Sequence, residues 1–137
     1  MTPARVGLAA AVLAVSWLAL SVEFNHEGHL AGVFHTGRAT TGTDAYRVAS
    51  DAGYDGQFYR MTAHDPLIRG EAVRHIDNPR LRWRRIGVPG LAAILSLGRD
   101  SWVDPAYVAI EIAFVLLGAY WLALLASRNG LSAIWGG

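Results

Sequence analysis

The stretch GYDGQFYR, residues 53–60, sets one carboxylate, Asp55, among Tyr54, Phe58 and Tyr59, with Arg60 close by. Partial burial among rings raises a carboxyl's proton affinity, while a neighbouring guanidinium lowers it. A carboxylate so placed can take the proton of an attacking hydroxyl. The same residues also make a good turn, with Gly53 and Gly56 as breaks and Asp and Gly doing backbone work. Local chemistry leaves both readings open. A second group, RLRWRR at 80–85, puts Arg80, Arg82, Arg84 and Arg85 directly before an apolar run. On a helix Arg80 shares a side with Arg84, and Arg82 with Arg85. Guanidinium forks suit phosphate, and Trp83 is an interface-type residue. That phosphate belongs to a lipid-linked substrate or, in the plainer reading, to anionic lipid gripped by a juxtamembrane anchor.

Other groups carry less. HEGH places His26 and His29 three apart, whereas the HExxH zinc pattern needs four to put both on one helix face. The remaining histidines, His35, His64 and His75, read as surface or hydrogen-bonded side chains. Asp65-Pro66 and Asp77-Asn78-Pro79 are turn signals before they are ligands. The chain has no Cys, so disulfides and thiolate metal sites are excluded. All twelve basic residues are Arg and the net charge is only +1, which gives no case for nucleic acid.

The elements that must position these residues are helical and greasy at both ends. Hydrophobic residues make up 53% and charged ones 17% of 137 residues. A soluble domain carries about a quarter charged, so the composition points to a membrane. Residues 6–22 hold no charge, with Arg5 before and Glu23 after. Their length meets the ~17-residue lower limit for a spanning helix. A secretory signal cleaved near Ala19-Leu20-Ser21 is the rival reading. Residues 105–126 form the second span, opened by Pro105, closed by Arg128 and Gly130, with Glu111 the one charge inside. A carboxylate at that depth is expensive and should face other helices or water. Residues 86–98 are apolar but short for a span.

The expectation is a mainly α membrane protein with two transmembrane helices flanking an extracytoplasmic loop of short helices. The segments run 1–22 (transmembrane), 23–85 (loop), 86–104 (interfacial, re-entrant or short transmembrane helix), 105–127 (transmembrane) and 128–137 (tail). Within the loop, 36–43 reads as irregular and 44–51 as a short helix capped by Asp44.

The order of the pieces carries a resemblance. HLAGVFHTG (29–37), GYDGQFYR, AHDPL (63–67) and IDNPRLRWRRIGVPGLAAILSLG (76–98) follow an apolar helix and precede a second one. This resembles the N-terminal part of bacterial multi-span proteins of cell-surface glycopolymer formation, which look like GT-C glycosyltransferases using polyprenyl-phosphate sugars. Two departures stand out: Phe58-Tyr59-Arg60 has one Tyr where two are common, and Val88 replaces an aromatic. The resemblance implies a GT-C-like N-terminal portion, multi-pass in the bacterial cytoplasmic (inner) membrane, and hexosyltransferase activity at full length. It implies Asp55 as the catalytic carboxylate, with Asp44 and Asp51 behind it. Arg82 and Arg85 would lead the lipid-phosphate contacts, then Arg84, with Arg60, Gln57, Tyr54 and Tyr59 binding substrate. It names no metal ligand set and leaves a divalent metal open as cofactor. The implied partners are the lipid bilayer, the polyprenyl-phosphate sugar and the remaining transmembrane helices of a larger transferase. The chain stops just after its second span, as a fragment would. The alternative is a non-catalytic two-span accessory or assembly protein that binds anionic lipid or a larger partner.

Overall fold

The computed structural model describes residues 1–37, 53–70 and 74–132, and among them every regular element is a helix. In chain order these are α1 (Pro3–Asn25), a 3-10 turn (Leu30–Phe34), α2 (Asp55–His64), α3 (Pro79–Trp83), α4 (Gly87–Leu95), a second 3-10 turn (Asp100–Trp102) and α5 (Val103–Arg128). The chain forms two compact units, one of Met1–Leu20 with Ala109–Gly137 and the other of Ser21–Val108. The expected loop at 36–43, beyond Gly37, and the expected helix at 44–51 lie outside the described residues, as do Asp44 and Asp51.

The first unit is built from α1 and α5. At 1.5 Å per residue they run about 35 and 39 Å, longer than the ~30 Å hydrocarbon core. Mean hydropathy reaches 1.9 in one and 2.2 in the other, so both are long and apolar enough to cross a membrane. Leu8, Leu13 and Trp17 on α1, and Leu122 and Leu125 on α5, are exposed, so protein does not cover them. A helix apolar on all sides suits a packed core or lipid, and exposure leaves lipid. The two helices meet through small side chains. A Cβ added at Gly7 would lie 2.8 Å from the Leu116 carbonyl oxygen and 3.2 Å from the Tyr120 Cβ. Val6 and Ala123 are buried together beside this contact. Such close approach of backbones is how helices associate where no hydrophobic force acts between them. Both helices outrun the apolar stretches, α1 to Asn25 and α5 from Val103.

The second unit is organised on α2. Asp55-Gly56 is not the turn that composition suggests but the first turn of this helix. Gly53 takes the bend instead, at φ +65°, and a Cβ there would fall 2.5 Å from the Gly37 nitrogen and 2.6 Å from Gln57 Oε1. Gly56 is a point of close approach, not a break: its Cβ would sit 2.9 Å from the Phe34 carbonyl oxygen. Gln57 is 1% exposed, and its Oε1 accepts the Gly37 N–H at 3.0 Å. Thr62 folds its hydroxyl back on the Phe58 carbonyl at 2.8 Å. α2 packs against α4, the first 3-10 turn and α3, and Ala63 and Ala92 are wholly buried. Phe34 meets Tyr107 edge-on at 5.1 Å.

α4 has nine residues, about 13.5 Å, too short to cross hydrocarbon. It stops where Leu97 and Gly98 take left-handed conformations at φ +52° and +75°. The outer side of this segment, Leu91, Ile94, Leu95 and Leu97, is exposed.

Replacing Gln57 by Ala leaves the buried Gly37 N–H without its acceptor. An orphaned buried donor costs about 1–3 kcal/mol. The Gln57→Ala chain should lose that much stability in its second unit, read by denaturant unfolding or by faster exchange of the Gly37 amide. Unchanged exchange at Gly37 would show that the bond does not hold this segment.

Candidate functional site

Asp77, Asn78 and Pro79 build the entry to α3. Asn78 Oδ1 accepts the Leu81 N–H at 3.0 Å, the side-chain cap that such a residue provides, and Pro79 fills the first turn. The short helix that follows turns Arg82 inward, its side chain 5% exposed. This guanidinium makes four hydrogen bonds and one further ion-pair contact. Nε and Nη2 donate to Asp77 Oδ1 and Oδ2 at 2.9 and 2.8 Å. Nη2 and Nη1 reach Asp55 Oδ1 and Oδ2, both at 2.9 Å. Nη1 also donates to the Tyr59 hydroxyl at 3.2 Å. The flat group lies 4.7 Å from the Phe58 ring centre and 5.2 Å from that of Tyr59, a cation over two aromatic faces.

These contacts set the electrostatics. The Arg82 hydrogen bond, more than anything else, holds the Asp55 carboxyl below the usual carboxylate range. Separate hydrogen bonds from Arg82 do so for Asp77, and the two carboxylates raise Arg82 further. Burial alone would push Tyr59 up, but donors from Arg85 and Arg82 outweigh it and bring the phenol below its ordinary value. Arg85 Nη1 reaches the Tyr59 hydroxyl at 3.0 Å while the residue stays exposed, as do Arg80 and Arg84.

The residues singled out from sequence therefore part company. Asp55, Tyr59, Arg82 and Arg85 come together at the N-terminal end of α2. Arg82 cannot lead the phosphate contacts in this arrangement, because a phosphate would have to displace Asp55 or Asp77. Arg60 does not set the Asp55 charge. It turns to Asp104, with Nε and Nη2 on the carboxylate at 2.8 to 3.0 Å. Gln57 is buried, with its Oε1 on the Gly37 N–H. Tyr54 is 70% exposed, its ring tilted against His35 at 4.7 Å. Among the described residues no group of three or more His, Cys, Asp and Glu is placed to hold a metal ion. Between Asp55 and Asp77 the cation is Arg82, which stands where a divalent ion would have to sit, so these residues do not fit the metal that the resemblance leaves open.

A second ionic group escaped sequence reasoning. His64 Nδ1 meets Asp100 Oδ1 at 2.5 Å and its Nε2 meets Asp104 Oδ1 at 3.0 Å. Beside it opens a small cleft of about 210 Å³, bordered by His64, Pro66, Ala93, Ser96, Asp100 and Val103. The available signal was spacing: Arg60 and His64 are four apart on α2, and Asp100 and Asp104 four apart further on, so each pair shares a face. What can be done chemically lies at the first group. Asp55 is 66% exposed and ionised, and can accept from a hydroxyl. Exposed Arg85 and Arg84 can meet an anion.

Compared with known protein families, curated proteins and solved structures, the chain matches none.

Burial alone would lower the His64 imidazole, but the hydrogen bonds to Asp104 and then Asp100 outweigh it and raise its proton affinity. Its contribution to stability is full below the unfolded value of about 6.5 and is lost as pH rises through the higher folded one. Melting of the wild-type protein should fall on raising the pH through that window, and His64→Gln should flatten the slope. An equal slope in both would exclude the pairing.

Proposed function

We propose that the chain is the N-terminal portion of a GT-C-like glycosyltransferase of the bacterial cytoplasmic membrane. It moves a sugar from a polyprenyl-phosphate carrier to a hydroxyl of a cell-surface glycopolymer. One observation carries this reading: Asp55 offers an open, ionised carboxylate that Arg82 and the Tyr59 hydroxyl link to the exposed Arg85. The acceptor hydroxyl oxygen attacks the anomeric carbon and its proton passes to Asp55. The bond from that carbon to the carrier phosphate oxygen breaks, and the carrier leaves as its phosphate. Charge grows on the leaving oxygen, and Arg85 with Arg84 would meet it. Arg82 serves by fixing Asp55. The two long apolar helices support a membrane setting. The Arg-rich segment is extracytoplasmic in this reading, because the positive-inside rule weakens for loops beyond ~60 residues.

A second reading, a non-catalytic accessory protein that binds anionic lipid or a larger partner, draws on the inward pairing of Arg60 and Arg82. These two cations serve the fold, and within the run 80–85 Arg80, Arg84 and Arg85 face outward.

Transfer from a radiolabelled polyprenyl-phosphate sugar in host membranes separates the two. Removing a general base typically costs about 100-fold or more, so Asp55→Asn should lower turnover by at least that factor at equal expression. Arg85→Ala should chiefly raise KM for the carrier. Undiminished turnover in Asp55→Asn would take that carboxylate out of the chemistry and leave the accessory reading.

A further inference from the structure

We infer that the outward face of α5 carrying Glu111 and Gly118 is a docking surface for a transmembrane helix outside this chain, one that brings a hydrogen-bond donor to Glu111. The inference rests on the membrane setting of the proposed function, not on its sugar chemistry.

Glu111 lies about 10 Å beyond Asp104 along α5, the one acidic or basic side chain between Asp104 and Arg128. It is exposed, and no partner approaches it among the described residues. In a bilayer such a carboxylate is costly, and charged groups within spans almost always pair or line water. Gly118 is two turns further along the same face, with Val115 and Leu122 on either side of it, and all are exposed. A Cβ added at Gly118 would meet no atom within 4 Å. The opposite side of α5, around Leu116 and Tyr120, is the one that receives Gly7 of α1. Among the described residues of its own unit the face is therefore not taken, and it combines a polar anchor with a small residue that lets another backbone come near, the two features of membrane-helix interfaces. Charge selects the occupant. A second copy would bring carboxylate against carboxylate, and a lipid tail offers no donor. A helix with an amide, a hydroxyl or a cation at that depth answers the carboxylate.

The test uses the full chain in phosphatidylcholine–phosphatidylglycerol vesicles. It carries a dye on a single cysteine placed at exposed Arg69, since the chain has none of its own. The probes are two synthetic leucine-rich transmembrane peptides, one with an asparagine at the matching depth and one with leucine there. Energy transfer should show the asparagine peptide binding about threefold to thirtyfold more tightly than the leucine peptide. Glu111→Leu should abolish that preference, and Gly118→Ile should weaken both peptides. Equal binding of the two peptides by an inserted wild-type chain overturns the docking surface and leaves the membrane setting intact. Stronger transfer between two differently labelled copies than to either peptide overturns it in favour of self-association. A chain that carbonate strips from the vesicles overturns both.

Discussion

A guanidinium cannot give up its proton, so a fold that buries one must surround it with acceptors. Arg82 imposes that constraint on the second unit. N–H groups taken from water need partners, and these find two carboxylates and a phenol through four hydrogen bonds and a further ion-pair contact. Asp55 begins α2, Asp77 lies just before α3, and Phe58 and Tyr59 lie under the flat face. One side chain thus fixes the end of one helix against the start of another. Removing one member of such a group is worse than never having built it, because the others keep their charge without an answer.

The same constraint shapes what remains open. Two carboxylates against Arg82 leave an excess of negative charge, and Arg85 returns the balance from the solvent side. Along α2 the pattern repeats with the signs exchanged. Arg60 and His64 are the cations on the helix, and Asp100 and Asp104 are the acids opposite. α2 is therefore held by charge at both ends and by close backbone approach at Gly53 and Gly56. Its central side chains, Gln57 and Thr62, are buried.

The architecture was legible where it depends on runs of one character. Seventeen uncharged residues make most of α1, and Pro105 to Ala126 make most of α5, because a long apolar helix needs no distant partner to be recognised. Asn78-Pro79 read as a turn signal, and in the structure it caps and opens α3. The site was legible only in part. Asp55, Tyr59, Arg82 and Arg85 could be named as polar residues in aromatic company, and the three-residue spacing of Arg82 and Arg85 does put both on Tyr59. Which charge answers which was not legible. Arg60 is five residues from Asp55 yet serves Asp104, and Arg82 is twenty-seven residues from Asp55 yet holds it. Such pairings are decided by how helices cross, and periodicity carries no record of that. Gly56 was read as a break for the same reason: the carbonyl it makes room for belongs to Phe34.

The Tyr59 hydroxyl has a consequence of its own. Its oxygen receives one N–H from Arg82 and another from Arg85, which occupies its capacity to accept. What is left is its own proton, and the two cations behind it make that proton readier to be shared. The phenol is thus polarised in one direction only. Whatever settles against it must present a lone pair, such as a ring oxygen, a hydroxyl turned oxygen-first or a phosphate oxygen. An ammonium or an amide turned N–H-first finds nothing there to hold it. Selection by hydrogen-bond direction precedes any selection by shape at this edge of the fold.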